Sequence, residues 1–374
     1  MKPVSETGFL GAAGSSMTHF LRDILRQPNE LQRTLDFLRG KGRRPLEEAA
    51  SAVRNASHVY LTGIGSSWHA ALTAGPAFSL GARPVFMQDA AELLQFATFP
   101  PAAVLIVISR SGRSVEIVNL LAKARESGAR VIGVTNSEDG ALAREAHIPL
   151  VISTRLDHGI SVNTYTTLAA TVGALATATV GSFDDRLATS LSHTLSATER
   201  ALVGWQRQTA ATAWLAPGGV YYFLARGPGL GSCYEARLMW EEGVKSPASA
   251  MGTGSFRHGP QEMVGKGMRF GIWIDGKHMR EQDLAVARDL TRLGASVMAI
   301  GQHLPADAGD LMFQLPEVPE GWQFLIDIIP AQLAAEALSR LSGVDCDSFS
   351  LCPYIVEDDY GLLREAVAAP KLEK

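Results

Sequence analysis

The sequence predicts an α/β protein of two similar domains, each a parallel sheet with helices on both faces. Three observations carry this expectation. From Val53 onward, short β-rich runs alternate with helical segments, and the runs are apolar throughout rather than at every second residue. Strands of that kind belong to a parallel sheet covered on both sides. The construction also recurs: Val59 to Ala70, a strand leading into Gly63-Ile64-Gly65-Ser66-Ser67 and a helix, reappears as Tyr221 to Ala236, about 160 residues later. Finally, 374 residues with 46 % apolar and 19 % charged side chains exceed one ordinary core and read as a well-packed globular chain.

In order along the chain, residues 1–16 are rich in Gly, Ser and Ala without a period, which predicts a loose arm. Met17, Phe20, Leu21, Ile24 and Leu25 share one helical face that stops before Pro28; Leu31, Leu35 and Leu38 continue on a second helix. The first set of strands is expected at Val59–Leu61, Val85–Met87, Val104–Ile108, Val131–Val134 and Leu150–Ile152. Helices fall between them at Trp68–Leu80, Ala90–Phe96, Val115–Ser127 and Ala141–Ala146. Leu168–Val180 is the longest greasy stretch. Broken by threonines and a glycine and too short to span a bilayer, it predicts a buried helix. Residues 183–215 read as a connecting helix. The second set of strands is expected at Tyr221–Leu224, Phe270–Ile274, Ser296–Ile300 and Met312–Leu315, with a helix at Cys233–Gly243. An apolar helix at Trp322–Leu341 and an extended tail after Gly343 follow. The resulting division is 1–46 arm and helices, 47–182 first domain, 183–215 connector, 216–345 second domain and 346–374 tail.

Charge and cysteine usage narrow the function. A net charge of −4 gives no general attraction to nucleic acid or to an anionic membrane, and the small basic cluster Arg39–Arg44 reads as a solvated loop. Cys233, Cys346 and Cys352 are odd in number and form no CxxC pair, which fits a reducing cytoplasm and disfavours a metal site. No basic region followed by an apolar stretch opens the chain, so no signal peptide is expected.

The chemistry concentrates in Ser109-Arg110-Ser111-Gly112-Arg113-Ser114, which lies between an apolar strand and a helix. Orphan backbone N–H groups, the positive end of the helix dipole and a glycine that admits close approach suit such a corner to a phosphate. The alternative is that these serines only cap and turn. Neither Gly63-x-Gly65 nor Gly227-x-Gly229-x-Gly231 completes a dinucleotide fingerprint, although Asp89 stands where a ribose partner would. Hydroxyls at two strand ends, Ser66-Ser67 and Ser109–Ser114, suit a compact phosphate monoester better than a pyrophosphate.

Gly65-Ser66-Ser67, Ile108 to Ser114, Val134-Thr135-Asn136, Ser161 to Thr167 and Phe256-Arg257-His258-Gly259-Pro260 together resemble the double sugar-isomerase (SIS) family of phosphosugar isomerases. Within that family the chain is similar to the isomerase half of the glutamine:fructose-6-phosphate aminotransferases, from His19 to about Asp345. The resemblance implies two flavodoxin-like, Rossmann-type domains, a sugar-phosphate ligand, no cofactor, and a homodimer whose subunits share each site. It implies that Ser109, Ser111 and Ser114 hold the phosphate with Ser66 and Ser67 beside them, that Arg110 adds a cationic contact, and that Ser161 touches the sugar. Glu242 matches the glutamate that moves a proton between C1 and C2. His258 matches the histidine that opens the ring, reaching in from the other subunit. An aldose–ketose interconversion needs such a carboxylate and gains from a nearby imidazole. Read without the family, Glu241 and Glu242 are surface carboxylates and His258 is a turn residue.

Departures from the family pattern set the remaining alternatives. Met239 stands where the family has a lysine one turn before the glutamate, and Pro353 where it has a Schiff-base lysine; Lys245 and Lys371 lie nearby in sequence but outside the matching motifs. No cysteine follows Met1 and no extra domain precedes Met17, so glutamine hydrolysis is not expected. The chain is therefore expected to isomerise or deaminate a 6-phosphorylated hexose or hexosamine. The alternatives are a fructosamine-6-phosphate deglycase, whose enediolamine route needs no lysine, and a phosphosugar sensor without turnover.

Overall fold

The structure, a computed structural model, describes residues 17–181, 183–359 and 361–362. The arm expected at residues 1–16, Lys371 and the end of the tail lie outside the described residues.

Three helices open the described chain, α1 (His19–Leu25), α2 (Gln27–Arg39) and α3 (Arg43–Asn55). Pro28 does not separate the first two by a loop. It sits in the first turn of α2, where its missing N–H has no intrahelical partner to lose. The basic cluster spans the end of α2, a turn through Gly42 and the first turn of α3 rather than a loop alone. Helix α3 has no counterpart in the sequence expectation, because its charged first turn hides the apolar stripe Leu46, Ala49, Ala50 and Val53, all buried.

The first α/β unit runs β1 (Val59–Thr62), α4 (Ser66–Leu80), β2 (Phe86–Met87), α5 (Ala90–Phe96), β3 (Val104–Ser109), α6 (Val115–Glu126), β4 (Arg130–Thr135), α7 (Ala141–Glu145) and β5 (Ile148–Val151). All pairings are parallel and the strand order is β2-β1-β3-β4-β5. Every residue of β3 is buried, as a central strand covered on both faces requires. Helix α8 (Asn163–Val180) follows and is buried on nearly all sides, so the greasy stretch is a core helix five residues longer than its apolar run. Helix α9 (Asp185–Ala210) is the connector, its first turn capped by the Asp184 carboxylate on the Leu187 amide.

The second unit repeats the plan. It comprises β6 (Val220–Ala225), α10 (Gly229–Met239) with a π-helical turn at Trp240–Val244, β7 (Ala248–Gly252), α11 (Thr253–Phe256), β8 (Met268–Trp273), α12 (Arg280–Arg292), β9 (Ser296–Gly301) and β10 (Leu311–Gln314). The sheet order β10-β9-β8-β6-β7 is again parallel throughout. The apolar stretch expected as one helix over Trp322–Leu341 is instead a short 3-10 turn at Gln323–Leu325 followed by α13 (Ile329–Leu341), whose first turn holds Pro330 as that of α2 holds Pro28.

One hydrophobic core runs through both units. It gathers Leu61, Ile106 and Val134 of the first sheet, Phe223, Ile300 and Phe313 of the second, and the helices between them. Helices α4 and α10 cross at its centre. Gly231 makes the crossing possible, since a Cβ there would stand 2.5 Å from the His69 carbonyl oxygen and 2.6 Å from Thr73 Cγ2. At the same crossing, the buried His69 Nδ1 and Glu235 Oε2 lie 2.6 Å apart. In each sheet the chain leaves neighbouring strands in opposite directions between β1 and β3, and between β6 and β8; such a switch point opens a crevice beyond the carboxyl ends of the strands.

Candidate functional site

At the first switch point the loops after β1 and β3 deliver their hydroxyls to one cavity of about 560 Å³. Ser66, Ser67, Ser109, Ser111, Ser114 and Ser161 all line it. Ser66 and Ser67 form the first turn of α4, and the 109–114 loop ends at the start of α6, so two helix N-termini, with the positive ends of their dipoles, border the same space.

Two serines of the 109–114 loop close its turn. The Ser109 hydroxyl oxygen accepts from the Gly112 amide at 3.1 Å, and that of Ser111 accepts from the Arg113 amide at 3.2 Å; these close the turn. Ser114 is the residue preceding α6 but makes no side-chain cap bond. Gly112 is held at φ +63°, and a Cβ there would stand 2.9 Å from Leu142 Cβ, so both conformation and packing require glycine. Asp89 caps α5 through the Ala91 and Glu92 amides and is engaged there, not at a ribose position. Ser161 directly precedes a stretch pinned by Asp157, a buried carboxylate that accepts from the amides of Val162, Asn163 and Thr164 at the start of α8.

The second unit contributes the acid. Glu242 lines the cavity from the π-helical turn that continues α10. Extra-residue turns of this type re-aim a helical side chain. Burial pushes its carboxyl up to about 7, the charge of Glu235 adds to the rise, and Arg110 and Lys245 oppose it. Lys245 follows at φ +55° and its ammonium donates to the Glu242 carbonyl oxygen and, at 2.9 Å, to that of Ser348. This lysine is thus tied to backbone.

Met239 is wholly buried in the core, and Leu238 lines the cavity in its stead. Pro353 is at the cavity wall. No lysine is among the described residues lining it. His258 is exposed, in the turn after α11, and does not line this chain's cavity.

Sequence reasoning missed the roof. Residues 347–356 cross the cavity: Asp347 accepts from the His19 and Phe20 amides at 2.7 and 2.9 Å, the Val115 amide donates to the Val356 carbonyl at 3.0 Å, and the Tyr354 hydroxyl donates to the Asp157 carbonyl at 3.2 Å. Arg110 stacks its guanidinium 3.8 Å from the Tyr354 ring centroid and donates to the Tyr354 carbonyl. It therefore ties the roof to the serine loop. His158, also lining the cavity, stacks on His19 with ring centroids 3.9 Å apart. A tail without apolar period carries no pattern that places it over a distant loop, so none of these contacts was legible.

The comparisons with known proteins agree with this architecture. Residues 52–178 match the SIS domain family. The chain is 26 % identical over 351 residues to a glutamine–fructose-6-phosphate aminotransferase (isomerizing) of Pyrobaculum aerophilum, covering 88 % of this chain and 56 % of that protein. A protein of the same name from Aeropyrum pernix is 27 % identical over 355 residues, covering 90 % and 57 %. The chain thus spans little more than half the length of these relatives. Among solved structures, a glucosamine-6-phosphate deaminase of Thermotoga maritima superposes with a TM-score of 0.76 at 21 % identity, covering 91 % of this chain and 99 % of the other. A tagatose-6-phosphate ketose/aldose isomerase of Escherichia coli gives 0.75 at 19 % identity, covering 92 % and 99 %. The fold is that of two SIS-type α/β domains.

Proposed function

We propose that this chain is a SIS-family enzyme that binds a 6-phosphorylated hexose or hexosamine and isomerises or deaminates it. The observation that carries the reading is a carboxyl held near 7 in the same cavity as six serines and two helix N-termini. The phosphate would sit against the hydroxyls and amides of residues 109–114 with Ser66 and Ser67 beside it, and Ser161 would contact the sugar. Glu242 as carboxylate takes a proton from the carbon next to the carbonyl of the open chain. The electron pair moves into an enediolate, the neighbouring hydroxyl proton passes to the former carbonyl oxygen, and the protonated acid returns its proton to the neighbouring carbon as the new carbonyl forms. A base whose pKa matches ambient pH serves both halves of that exchange. Ring opening falls to His258 of a partner subunit in a homodimer, since the chain's own His258 stands away from its own cavity.

A second reading, a fructosamine-6-phosphate deglycase, is favoured by one observation: no lysine lines the cavity among the described residues, and that reaction proceeds through an enediolamine without an imine to the protein. Incubation with fructose 6-phosphate, glucosamine 6-phosphate and a fructosyl-amino-acid 6-phosphate, following sugar interconversion, ammonia and free amine, separates the two. Amine release from the last substrate alone selects the deglycase. Glu242→Gln is expected to lower turnover by about 10²–10⁴-fold with phosphosugar affinity nearly unchanged, and wild-type turnover in that variant removes the enzymatic reading.

A further inference from the structure

The second switch point, between β6 and β8, also opens into a cavity, of about 620 Å³. It is bounded by the loops after β6, β8, β9 and β10, and by the last turn of α4 through Pro76, Ala77 and Leu80. The two cavities therefore stand in reciprocal relation to the same pair of crossed helices. Helix α4 begins at the first cavity with Ser66 and Ser67 and ends at the second. Helix α10 begins at the second with Gly229, and its C-terminal end and the π-helical turn reach the first with Leu238 and Glu242.

The lining groups are suited to an anion that carries hydroxyls. Arg226, Lys277, His278, Arg280 and His303 supply positive charge or imidazole N–H, and Gln302 and Gln323 supply amides. Arg226 donates its Nε to the buried Asp283 carboxylate at 2.7 Å, and its buried Nη2 has no hydrogen-bond partner. At the rim, Lys277 pairs with Glu320 at 2.7 and 2.9 Å and His303 with Glu317 at 2.8 Å. All four are exposed, and exposed pairs of this kind contribute little, so an incoming phosphate can replace the carboxylates. Pro228, Val318 and Trp273 give an apolar wall for the C–H face of a ring.

The same comparison shows what this cavity lacks. Its β8–α12 loop has no serines. The Asp275 carboxylate takes the amides of Lys277 and Met279 at 3.2 and 2.8 Å, so the loop closes on itself. Where Glu242 overhangs the first cavity, the last turn of α4 offers Ala77 and Leu80. No carboxylate is poised from that helix to move a proton.

We propose that the second cavity binds a phosphorylated sugar without turnover and is an effector site, coupled to the first through the packed helices α4 and α10. The ligand class rests on the reading of the first cavity given above; the site itself does not. Coupling is expected because both helices are shared and neither can shift without moving a wall of each cavity, and it must be reciprocal.

The test uses calorimetric titration of the full chain with glucosamine 6-phosphate and with fructose 6-phosphate. Gly276→Phe plugs the second cavity: a Cβ at Gly276 has only Gln302 Nε2 and Gln323 Oε1 nearby, each at 3.8 Å. Wild type is expected to bind at two sites per chain, Ser109→Ala/Ser111→Ala and Gly276→Phe at one each, and the combination at none. Lys277→Glu, at an exposed position, is expected to weaken the second site by at least about tenfold, which keeps the test open should Gly276→Phe fold poorly. Absence of residual binding in the two-serine variant overturns the proposal. So does residual binding that neither Gly276→Phe nor Lys277→Glu alters, or equal binding of inorganic phosphate there. Failure of the first-cavity reading looks different: the two-serine variant then binds as wild type does, while Gly276→Phe still removes one site.

Discussion

Glu242 and Asp327 show how differently a raised carboxyl can be used. Glu242 sits at a cavity with its acid near 7, burial being the first cause and Glu235 the second. Asp327 is fully buried; the Ser232 hydroxyl donates to its Oδ1 at 2.5 Å, Tyr165 stands 3.5 Å from Ser232, and burial raises its acid to about 8. At neutral pH it is held mostly as the neutral acid. Both folded values lie above the unfolded ones, so the fold binds more protons than the unfolded chain between them. Each group therefore favours folding at low pH, and that contribution is lost as pH rises, through about 7 for Glu242 and about 8 for Asp327. Asp327→Asn, which keeps the shape and removes the ionisation, is expected to unfold at a similar urea concentration to wild type near pH 4 and at a higher one at pH 9. A variant that loses stability equally at both pH values would show that Asp327 is needed as a charge.

The decisive packing is the crossing of α4 on α10, because α4 carries Ser66 and Ser67 and α10 leads into Glu242. Gly231 sits at the contact in ordinary helical conformation, so its role is space alone. Gly231→Ala is expected to cost about 1–3 kcal/mol through overpacking and to lower turnover beyond what the loss of stability explains, since the acid and the serine loop are pushed apart. A fall in melting temperature with unchanged turnover would separate the crossing from the chemistry. Gly112→Ala acts on the loop itself. Left-handed backbone costs roughly 1–2 kcal/mol for alanine, the Leu142 contact adds to it, and weaker phosphosugar binding by calorimetry is the expected readout. At the tail, Arg110 and Lys245 each bond a carbonyl of the roof, of Tyr354 and Ser348. Tyr354→Ala removes the ring under the guanidinium and is expected to speed proteolysis of the tail, a change that bound phosphosugar reverses by mass action.

Across the whole molecule the raised carboxyls act together. Asp23, Asp283 and Glu336 are also shifted upward by burial, in the same direction as Glu242 and Asp327. Global stability measured by urea unfolding is expected to decline from about pH 4 to about pH 8, and to decline less steeply in Glu242→Gln. A steeper decline in that variant contradicts the assignment. The core that joins both sheets predicts a single cooperative transition rather than two, although the sequence divides into two repeated units.

The alternation of apolar runs with helical segments, read along the sequence, was enough for two parallel sheets, because strands buried on both faces must be apolar at every position. The serine loop and the glycine at its bend were legible for a similar reason: hydroxyls, glycine and a helix start are adjacent in the chain. Helix α3 was hidden by its charged first turn, and β7, with Gly252 and Ser249 and no fully buried residue, by its lack of a pattern. What the sequence could not decide was which distant parts meet. That Glu242 lines one cavity with the serines, that Met239 turns inward while Leu238 faces it, and that α4 and α10 each touch two cavities depend on how two helices pack, and that residues 347–356 roof the first cavity depends on their bonds to α1, the start of α6 and Asp157. That packing brings Gly231 against His69 and Thr73, about 160 residues earlier in the chain, and they meet only when the core closes.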